Sequence, residues 1–225
     1  MIEALVFDLD DTLYLERDFV MSGYRAVASF LADSGICPFD DAVSCLEKSF
    51  DARGRQMVFP SLLEMIPDAG VSLADLINVY RRHAPKIHLF PGYRKLLREL
   101  THQYRLGIIT DGLRSVQERK VRALGLEPIM DKIIYTWEYG EERQKPHPFS
   151  FSLMLESLHV KPDSALFIGD SPDKDCVGAH GIGMKFVQVQ RSGKCGEKIG
   201  ATVGQRPEYL METLFELPQI LQHIN

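Results

Sequence analysis

Five short runs of mainly branched and aromatic residues recur along this 225-residue chain, at residues 4–7, 106–109, 132–135, 165–168 and 185–189. Continuous apolar runs of this length are typical of strands that are buried on both faces of a parallel sheet. Helical patterns separate the later runs, at residues 93–100, 115–124 and 148–158. This alternation of strands and helices predicts an α/β fold with a doubly wound, Rossmann-like parallel sheet.

The segment after the first run has a different character. Residues 15–88 contain no strand pattern and have amphipathic helical patterns at 19–33, 40–52, 61–65 with its flanks, and 72–83. We therefore predict a helical domain over 15–88, inserted into a core domain of residues 1–14 and 89–225.

Three local features of the core also have a structural interpretation. Ser115 and Glu118 have the spacing of a capping box at a helix N-terminus. Gly125 stands where a helix C-terminus favours a left-handed residue. Residues 191–200, rich in glycine and lysine, are predicted to form a loop.

Charge and composition argue against several classes of protein. The net charge of −5 offers no basic excess for a nucleic-acid partner. No apolar run approaches the roughly 20 residues that cross a bilayer, and the first residues lack the pattern of a signal peptide, so we expect a cytoplasmic protein. The cysteines are Cys37, Cys45, Cys176 and Cys195, and none of them has C-x-x-C spacing. This pattern predicts reduced thiols instead of a zinc site or disulfides.

The first apolar run ends in closely spaced acids, Asp8 and Asp10. In an extended backbone residues i and i+2 face the same side, and open α/β sheets bind ligands at the carboxyl ends of their strands. Two carboxylates at that edge repel each other unless a cation or a shared proton compensates them. The arrangement suits a metal site that also contains a nucleophile and an acid/base.

Other strand ends contribute the remaining parts of such a site. Asp170 follows the run at 165–168, and magnesium prefers oxygen ligands, so Asp8, Asp170 and a backbone carbonyl near Asp10 form a sufficient protein contribution to a Mg²⁺ site. Thr110 offers a phosphate its hydroxyl and the backbone N–H groups beside it. Lys145, just before a predicted helix, offers a point charge that neutralises both a phosphate and a carboxylate.

Taken in order, these residues resemble the four motifs of the haloacid dehalogenase superfamily of phosphatases. The first motif is Asp8-Leu-Asp10-Asp-Thr12, followed by Thr110, then Lys145, and then Gly169-Asp170 with Asp175 five residues later. The resemblance covers nearly the whole chain. It implies a Mg²⁺-dependent phosphohydrolase that acts on a small phosphomonoester, such as a nucleoside monophosphate, a sugar phosphate or a phospho-acid.

The resemblance also implies a role for each site residue. Asp8 is expected to be the nucleophile that carries the aspartyl phosphate. Asp10 is expected to protonate the leaving oxygen and then to activate water. The other expected roles are phosphate binding by Thr110, Asp111 and Lys145, Mg²⁺ binding by Asp8, Asp10 and Asp170, and orientation of a metal-bound water or of Lys145 by Asp175.

The helical insertion resembles the all-helical cap domains of this superfamily, which close over the site and select substrate. A cap of this kind implies an enclosed pocket and a small phosphorylated metabolite as the partner, with neither nucleic acid nor membrane, in a monomer or a homodimer. A phosphomutase uses the same four motifs and remains an alternative. A non-catalytic binding or regulatory module on the same fold is a further alternative.

Several nearby residues have a structural interpretation that competes with a functional one. Asp11 and Asp173 suit solvated or capping acids, and Thr12 suits a turn. His147 lies between two prolines in a predicted loop, and Trp137 and Tyr139 suit packing below the sheet edge. The arginines that could contact substrate are Arg17, Arg53, Arg55 and Arg114.

Overall fold

The computed structural model of the chain describes residues 1–67, 69–191 and 206–224. The chain forms two compact units, one of Met1–Leu15 with His88–Asn225 and the other of Glu16–Ile87. Apart from Arg191, the predicted loop at 191–200 lies outside the described residues, and so does Cys195. The assignment of the helical segment as a cap stays a prediction.

Within its described residues, the first unit forms a six-stranded sheet in which every neighbouring pair of strands is parallel, in the order β3-β2-β1-β4-β5-β6. This sheet confirms the predicted fold class. The last strand was not predicted, because its three residues are too few to give a pattern. The strands in the described residues are β1 (Ala4–Phe7), β2 (Arg105–Thr110), β3 (Lys132–Tyr135), β4 (Ala165–Gly169), β5 (Lys185–Val189) and β6 (Tyr209–Met211).

Helices α1 to α4 lie in the second unit and α5 to α9 lie in the first. The helices at 93–100 and 148–158 have the predicted bounds, whereas α9 was not predicted. The α-helices of the described residues are α1 (Glu16–Asp33), α2 (Phe39–Arg53), α3 (Val58–Met65), α4 (Leu73–Arg82), α5 (Tyr93–Leu100), α6 (Arg114–Ala123), α7 (Pro148–Leu158), α8 (Val177–His180) and α9 (Leu217–Ile224).

Strand β1 lies at the centre of the sheet, and its four residues are fully buried. Phe7 at its end is in register with Ile108 of β2 and Ile168 of β4. The chain positions just beyond these three strands therefore come together at one sheet edge. This edge is the point where the strand order reverses direction, which is where open α/β sheets bind ligands.

The second unit has its own apolar core, built from its four helices. Tyr80 of α4 packs against Phe19 and Phe59, with ring centroids 5.7 and 5.6 Å away. A Cβ on Gly23 of α1 would lie 2.4 Å from the Tyr80 ring, so the close approach of α1 and α4 requires glycine there. Helix α4 begins with a complete capping box between Ser72 and Asp75.

The prediction of a capping box at Ser115 is wrong. Helix α6 begins one residue earlier, with Leu113 as its N-cap residue and no side-chain cap. Glu118 instead accepts a hydrogen bond from Arg114 at 2.7 Å. The prediction at the other end is confirmed, because Gly125 has a φ of 60° and Leu126 N–H donates to the Val121 carbonyl at 3.1 Å.

Within the part of the chain that the structure describes, no helix is both long and apolar enough to cross a bilayer. Cys37, Cys45 and Cys176 are free thiols. A cytoplasmic location stays a prediction.

Candidate active site

A buried lysine links two of the predicted acids at the sheet edge. Asp8 follows β1, and Lys145 belongs to the segment between β3 and α7. The Lys145 ammonium donates to Asp8 Oδ1 at 2.6 Å and to Asp175 Oδ1 at 2.7 Å. All three residues are at least nine-tenths buried, so these hydrogen bonds are shielded from water.

Asp170 completes a group of acids that could hold a metal ion. One carboxylate oxygen each from Asp8, Asp170 and Asp175 lies within 4.8 Å of the others. Three converging carboxylate oxygens are a donor set that suits Mg²⁺. The group includes Asp175, which was predicted only as a supporting residue, and does not include the Asp10 side chain. Metal binding by Asp10, through its backbone carbonyl, stays a prediction.

The charge balance of this group favours a bound cation. Burial raises the pKa of Asp8 well above its ordinary value; Lys145 opposes the rise, whereas Asp175, Asp170 and Asp10 add to it. Burial alone would lower the pKa of Lys145, but the charges of Asp175, Asp8 and Asp111 raise it, so the lysine stays charged. The single positive charge of Lys145 therefore compensates only part of the negative charge around Asp8.

Gly169, the last residue of β4, allows Asp175 to approach the strand. A Cβ at this position would lie 2.2 Å from Asp175 Oδ2. That same oxygen accepts a hydrogen bond from the Ser171 backbone N–H at 3.1 Å. A glycine before Asp170 thus lets the chain fold back until Asp175 reaches Lys145.

Asp10 lies in a separate set of contacts. Its Oδ1 accepts from the Lys120 ammonium at 2.8 Å, and its Oδ2 accepts from Lys120 at 3.0 Å and from Gln117 Nε2 at 2.9 Å. The Tyr14 hydroxyl also donates to Oδ1. Asp11 adopts a left-handed conformation with a φ of 59°, and the turn that it forms brings Tyr14 back beside Asp10.

These donors change the acidity of Asp10. Burial alone would raise its pKa, but the Lys120 charge and the hydrogen bonds from Lys120, Tyr14 and Gln117 outweigh burial and lower the pKa. The two catalytic acids predicted from the sequence therefore have opposite environments. Asp8 shares Lys145 with other acids, and Asp10 is compensated by Lys120.

Two of the predicted phosphate-binding residues, Thr110 and Asp111, lie at the end of β2. Thr110 is buried, and its hydroxyl accepts a hydrogen bond from Gln117 at 2.5 Å. The Asp111 carboxylate accepts from the Thr136 hydroxyl at 2.8 Å and from the Lys145 backbone N–H at 3.1 Å. The Asp111 side chain thus holds the segment that carries Lys145. Binding of phosphate by the Asp111 backbone N–H stays a prediction.

Thr12, predicted as a turn residue, also contacts the site. Its hydroxyl donates to Asp8 Oδ2 at 3.4 Å.

His147 is the N-cap residue of α7, where its ring accepts from the Phe149 N–H at 3.2 Å. Tyr139 packs on the Phe149 ring with centroids 5.2 Å apart. These contacts support the structural interpretation of His147 and Tyr139.

Each arginine that was a candidate for substrate contact has an acidic partner within its own unit. Arg17 pairs with Asp51, Arg53 with Glu64, Arg55 with Glu16, and Arg114 with Glu118 and Glu138. The arginine side chains are about half exposed, and surface pairs of this kind are common without a specific function.

Gln117 and Lys120 were not singled out in the sequence, although a signal for them exists. Positions 117, 120, 121 and 124 form one face of a helix, and Val121 and Leu124 on that face are buried. Two polar residues therefore occupy core-facing positions. A buried lysine is rare unless it is paired, so such a pattern indicates an acidic partner elsewhere in the chain.

Comparison with known proteins agrees with this geometry. Residues 5–189 match the haloacid dehalogenase-like hydrolase family. The glyceraldehyde 3-phosphate phosphatase of Methanocaldococcus jannaschii is 29% identical, over 100% of this chain and 99% of that protein.

Two solved structures share the fold over nearly their whole length. A haloacid dehalogenase (HAD) phosphatase from Thermococcus onnurineus is 27% identical with a TM-score of 0.63, over 98% of both chains. The hydrolase YfnB of Bacillus subtilis, solved with bound magnesium, is 25% identical with a TM-score of 0.67, over 98% of this chain and 99% of that one. The resemblance seen in the motifs is confirmed: the chain belongs to the haloacid dehalogenase-like hydrolase family.

Proposed function

We propose that this chain hydrolyses a small phosphomonoester through an aspartyl phosphate on Asp8, with Mg²⁺ as the cofactor. The observation that carries the proposal is the position of the Lys145 ammonium, 2.6 Å from Asp8 and 2.7 Å from Asp175 at the carboxyl edge of the sheet. A buried nucleophilic carboxylate beside a fixed cation suits attack on a dianionic phosphate. Membership of a hydrolase family and full-length similarity to a named phosphatase support the reaction class.

Each side chain has a distinct role in the proposed reaction. An oxygen of Asp8 attacks phosphorus while the Lys145 ammonium neutralises charge on both reactants. The Thr110 hydroxyl, held by Gln117, orients the phosphoryl group. In the first step Asp10 is protonated and gives its proton to the leaving oxygen as the bond from that oxygen to phosphorus breaks. The resulting Asp10 carboxylate, which the Lys120 ammonium stabilises, then takes a proton from the water that attacks the aspartyl phosphate, so that inorganic phosphate leaves and Asp8 is restored. General acid–base steps of this kind contribute about 10²- to 10⁴-fold.

The acids Asp8, Asp170 and Asp175 would hold the Mg²⁺ ion. When bound, the ion supplies Lewis-acid polarisation of a phosphoryl oxygen and compensates the clustered carboxylates. The raised pKa of Asp8 supports this assignment, because burial and three neighbouring acids leave its carboxylate short of positive charge.

Sugar phosphates are the substrate class that we favour among the small phosphomonoesters. The relative from Methanocaldococcus jannaschii bears the name of a triose phosphate phosphatase and aligns over the whole chain. An N-acylneuraminate-9-phosphatase from mouse is 31% identical, over 59% of this chain and 51% of that protein. Both names denote phosphatases of sugar phosphates, and the full-length relative motivates a triose phosphate as the first compound to test.

The test is phosphate release across a panel of compounds, with magnesium or with excess chelator. The panel contains glyceraldehyde 3-phosphate, larger sugar phosphates, nucleoside monophosphates, phospho-acids and a phosphopeptide. We expect magnesium-dependent release with the highest kcat/KM for a small sugar phosphate. Full activity in chelator would remove the metal from the proposal, and preference for the phosphopeptide would contradict a small-molecule substrate. Product analysis separates hydrolysis from transfer to a second hydroxyl.

A further inference from the structure

We propose that Lys120 is a positioning residue for the Asp10 carboxylate, and that it compensates the charge of Asp10 in place of the metal. This inference rests on the proposed function, in which Asp10 transfers protons during phosphoryl transfer. It concerns a residue on α6 that lies outside the four sequence motifs. Lys120 acts through Asp10 and is assigned no contact with substrate.

The first observation is the burial and geometry of the pair. Only 5% of the Lys120 side chain is exposed, yet its ammonium donates to both oxygens of Asp10, at 2.8 and 3.0 Å. A buried ammonium requires an acidic partner, and contact with both oxygens restricts rotation of the carboxylate. The helix thus holds one particular orientation of the Asp10 side chain.

The second observation is a link from the same helix to the phosphate-binding residue. Gln117 lies one turn before Lys120, and its amide donates to Asp10 Oδ2 at 2.9 Å and to the Thr110 hydroxyl at 2.5 Å. One face of α6 therefore sets the position of the acid/base relative to the end of β2. A displacement of Asp10 by even about 1 Å can lower a rate by roughly 10²-fold.

The third observation is the division of positive charge in the site. The Lys145 ammonium contacts Asp8 and Asp175, and Lys120 contacts Asp10. The two predicted catalytic acids thus contact different buried lysines. Because Asp10 is compensated by protein, the orientation of its side chain does not depend on the cation that the three other acids would bind.

The experiment compares two leaving groups in the variant Lys120→Met. An aryl phosphate such as p-nitrophenyl phosphate releases a stable anion and needs little protonation, whereas an alkyl phosphate needs a positioned acid. We measure kcat/KM, which reports the steps up to release of the leaving group, for p-nitrophenyl phosphate and for the best alkyl phosphate of the wild type. Arg119→Met is the matched control, because it removes the same charge from an exposed position on the same helix.

We expect Lys120→Met to lower kcat/KM for the alkyl phosphate by about 10- to 100-fold and for the aryl phosphate by less than about threefold. Arg119→Met should change either value by less than about twofold. In the Asp10→Asn background, Lys120→Met should add less than about twofold for both substrates, since the carboxylate that it positions is then gone. Circular dichroism and the melting temperature verify that each variant folds.

Equal losses for the two leaving groups, or a loss that persists in the Asp10→Asn background, would show a merely structural role and overturn the inference. If Lys120→Met does not fold, Lys120→Arg takes its place; it keeps the charge but changes the geometry, and the same dependence on the leaving group and on Asp10 is required. The proposed function fails separately, if the wild type releases no phosphate from either substrate or if Asp10→Asn leaves the alkyl rate unchanged.

Discussion

At the scale of single residues, Asp8 and Asp10 differ in their surroundings although they are two positions apart. Burial and neighbouring acids raise the pKa of Asp8, and Lys145 is a cation that it shares with Asp175. Asp10 is surrounded by donors that lower its pKa. Pairs of titratable groups whose environments separate their acidities are a frequent basis for assigning different chemical roles.

Replacing Asp8 by asparagine is expected to abolish turnover and preserve the fold. An amide is a poor nucleophile and a poor ligand for Mg²⁺, and the substitution keeps the side-chain volume. The measurement is kcat for the best substrate, together with the circular dichroism spectrum. Asp163→Asn, at an exposed position of the same unit, is the control and should retain wild-type kcat. Substantial turnover by Asp8→Asn would rule out the covalent mechanism.

At the scale of elements, two helix starts with similar sequence patterns have different structures. Ser72 and Asp75 form a complete capping box at α4. Ser115 and Glu118 have the same spacing, but α6 starts at Arg114 and Ser115 caps nothing. The pairing of Arg114 with Glu118 and Glu138 occupies the acid that the capping box would need.

This difference predicts that the same substitution has different effects on stability at the two serines. Ser72→Ala removes a side chain that accepts from the Asp75 N–H and should lower the free energy of unfolding by about 1 kcal/mol. Ser115→Ala should change it by less than about 0.5 kcal/mol, because both serines are exposed and only Ser72 caps a helix. Urea denaturation of the two variants measures these values. Equal destabilisation would contradict the assignment of the helix starts.

At the scale of the whole molecule, the proposed metal site draws its ligands from chain segments on both sides of the helical insertion. Asp8 precedes that insertion, and Asp170 and Asp175 follow it. A ligand that binds only the folded chain raises its stability, by about 2.7 kcal/mol when its concentration is 100 times the dissociation constant. Magnesium binding should therefore be visible as a shift of the melting temperature without any substrate.

We expect the melting temperature of the wild type to rise with added Mg²⁺ and to fall back with chelator. Asp170→Asn should need at least about tenfold more Mg²⁺ for the same shift, because it loses one of three carboxylate ligands. Asp173→Asn is the control, since it removes the same charge from an exposed position in the same segment. Indistinguishable titrations of the two variants would refute the assignment of Asp170 as a ligand.

The sequence alone was enough to predict the parallel sheet and the family. Apolar runs such as 4–7 and 165–168 must be buried on both faces, and residues at strand ends reach one edge of any open α/β sheet. Asp8, Thr110 and Asp170 could therefore be recognised by the strands that they follow, and Lys145 by the predicted helix that it precedes. These features depend on short-range periodicity and on topology, which the order of residues encodes directly.

The tertiary structure decided which side chains contact each other. Lys120 and Asp10 are far apart in the chain, and their pairing depends on the approach of α6 to the segment that follows β1. The same holds for Asp175, which reaches Lys145 because Gly169 leaves room for its carboxylate. The local sequence determines which positions of a helix or strand are buried, but it does not determine which residue a buried charge pairs with. That partner is set by long-range packing, because an unpaired charge in the interior is too costly to remain.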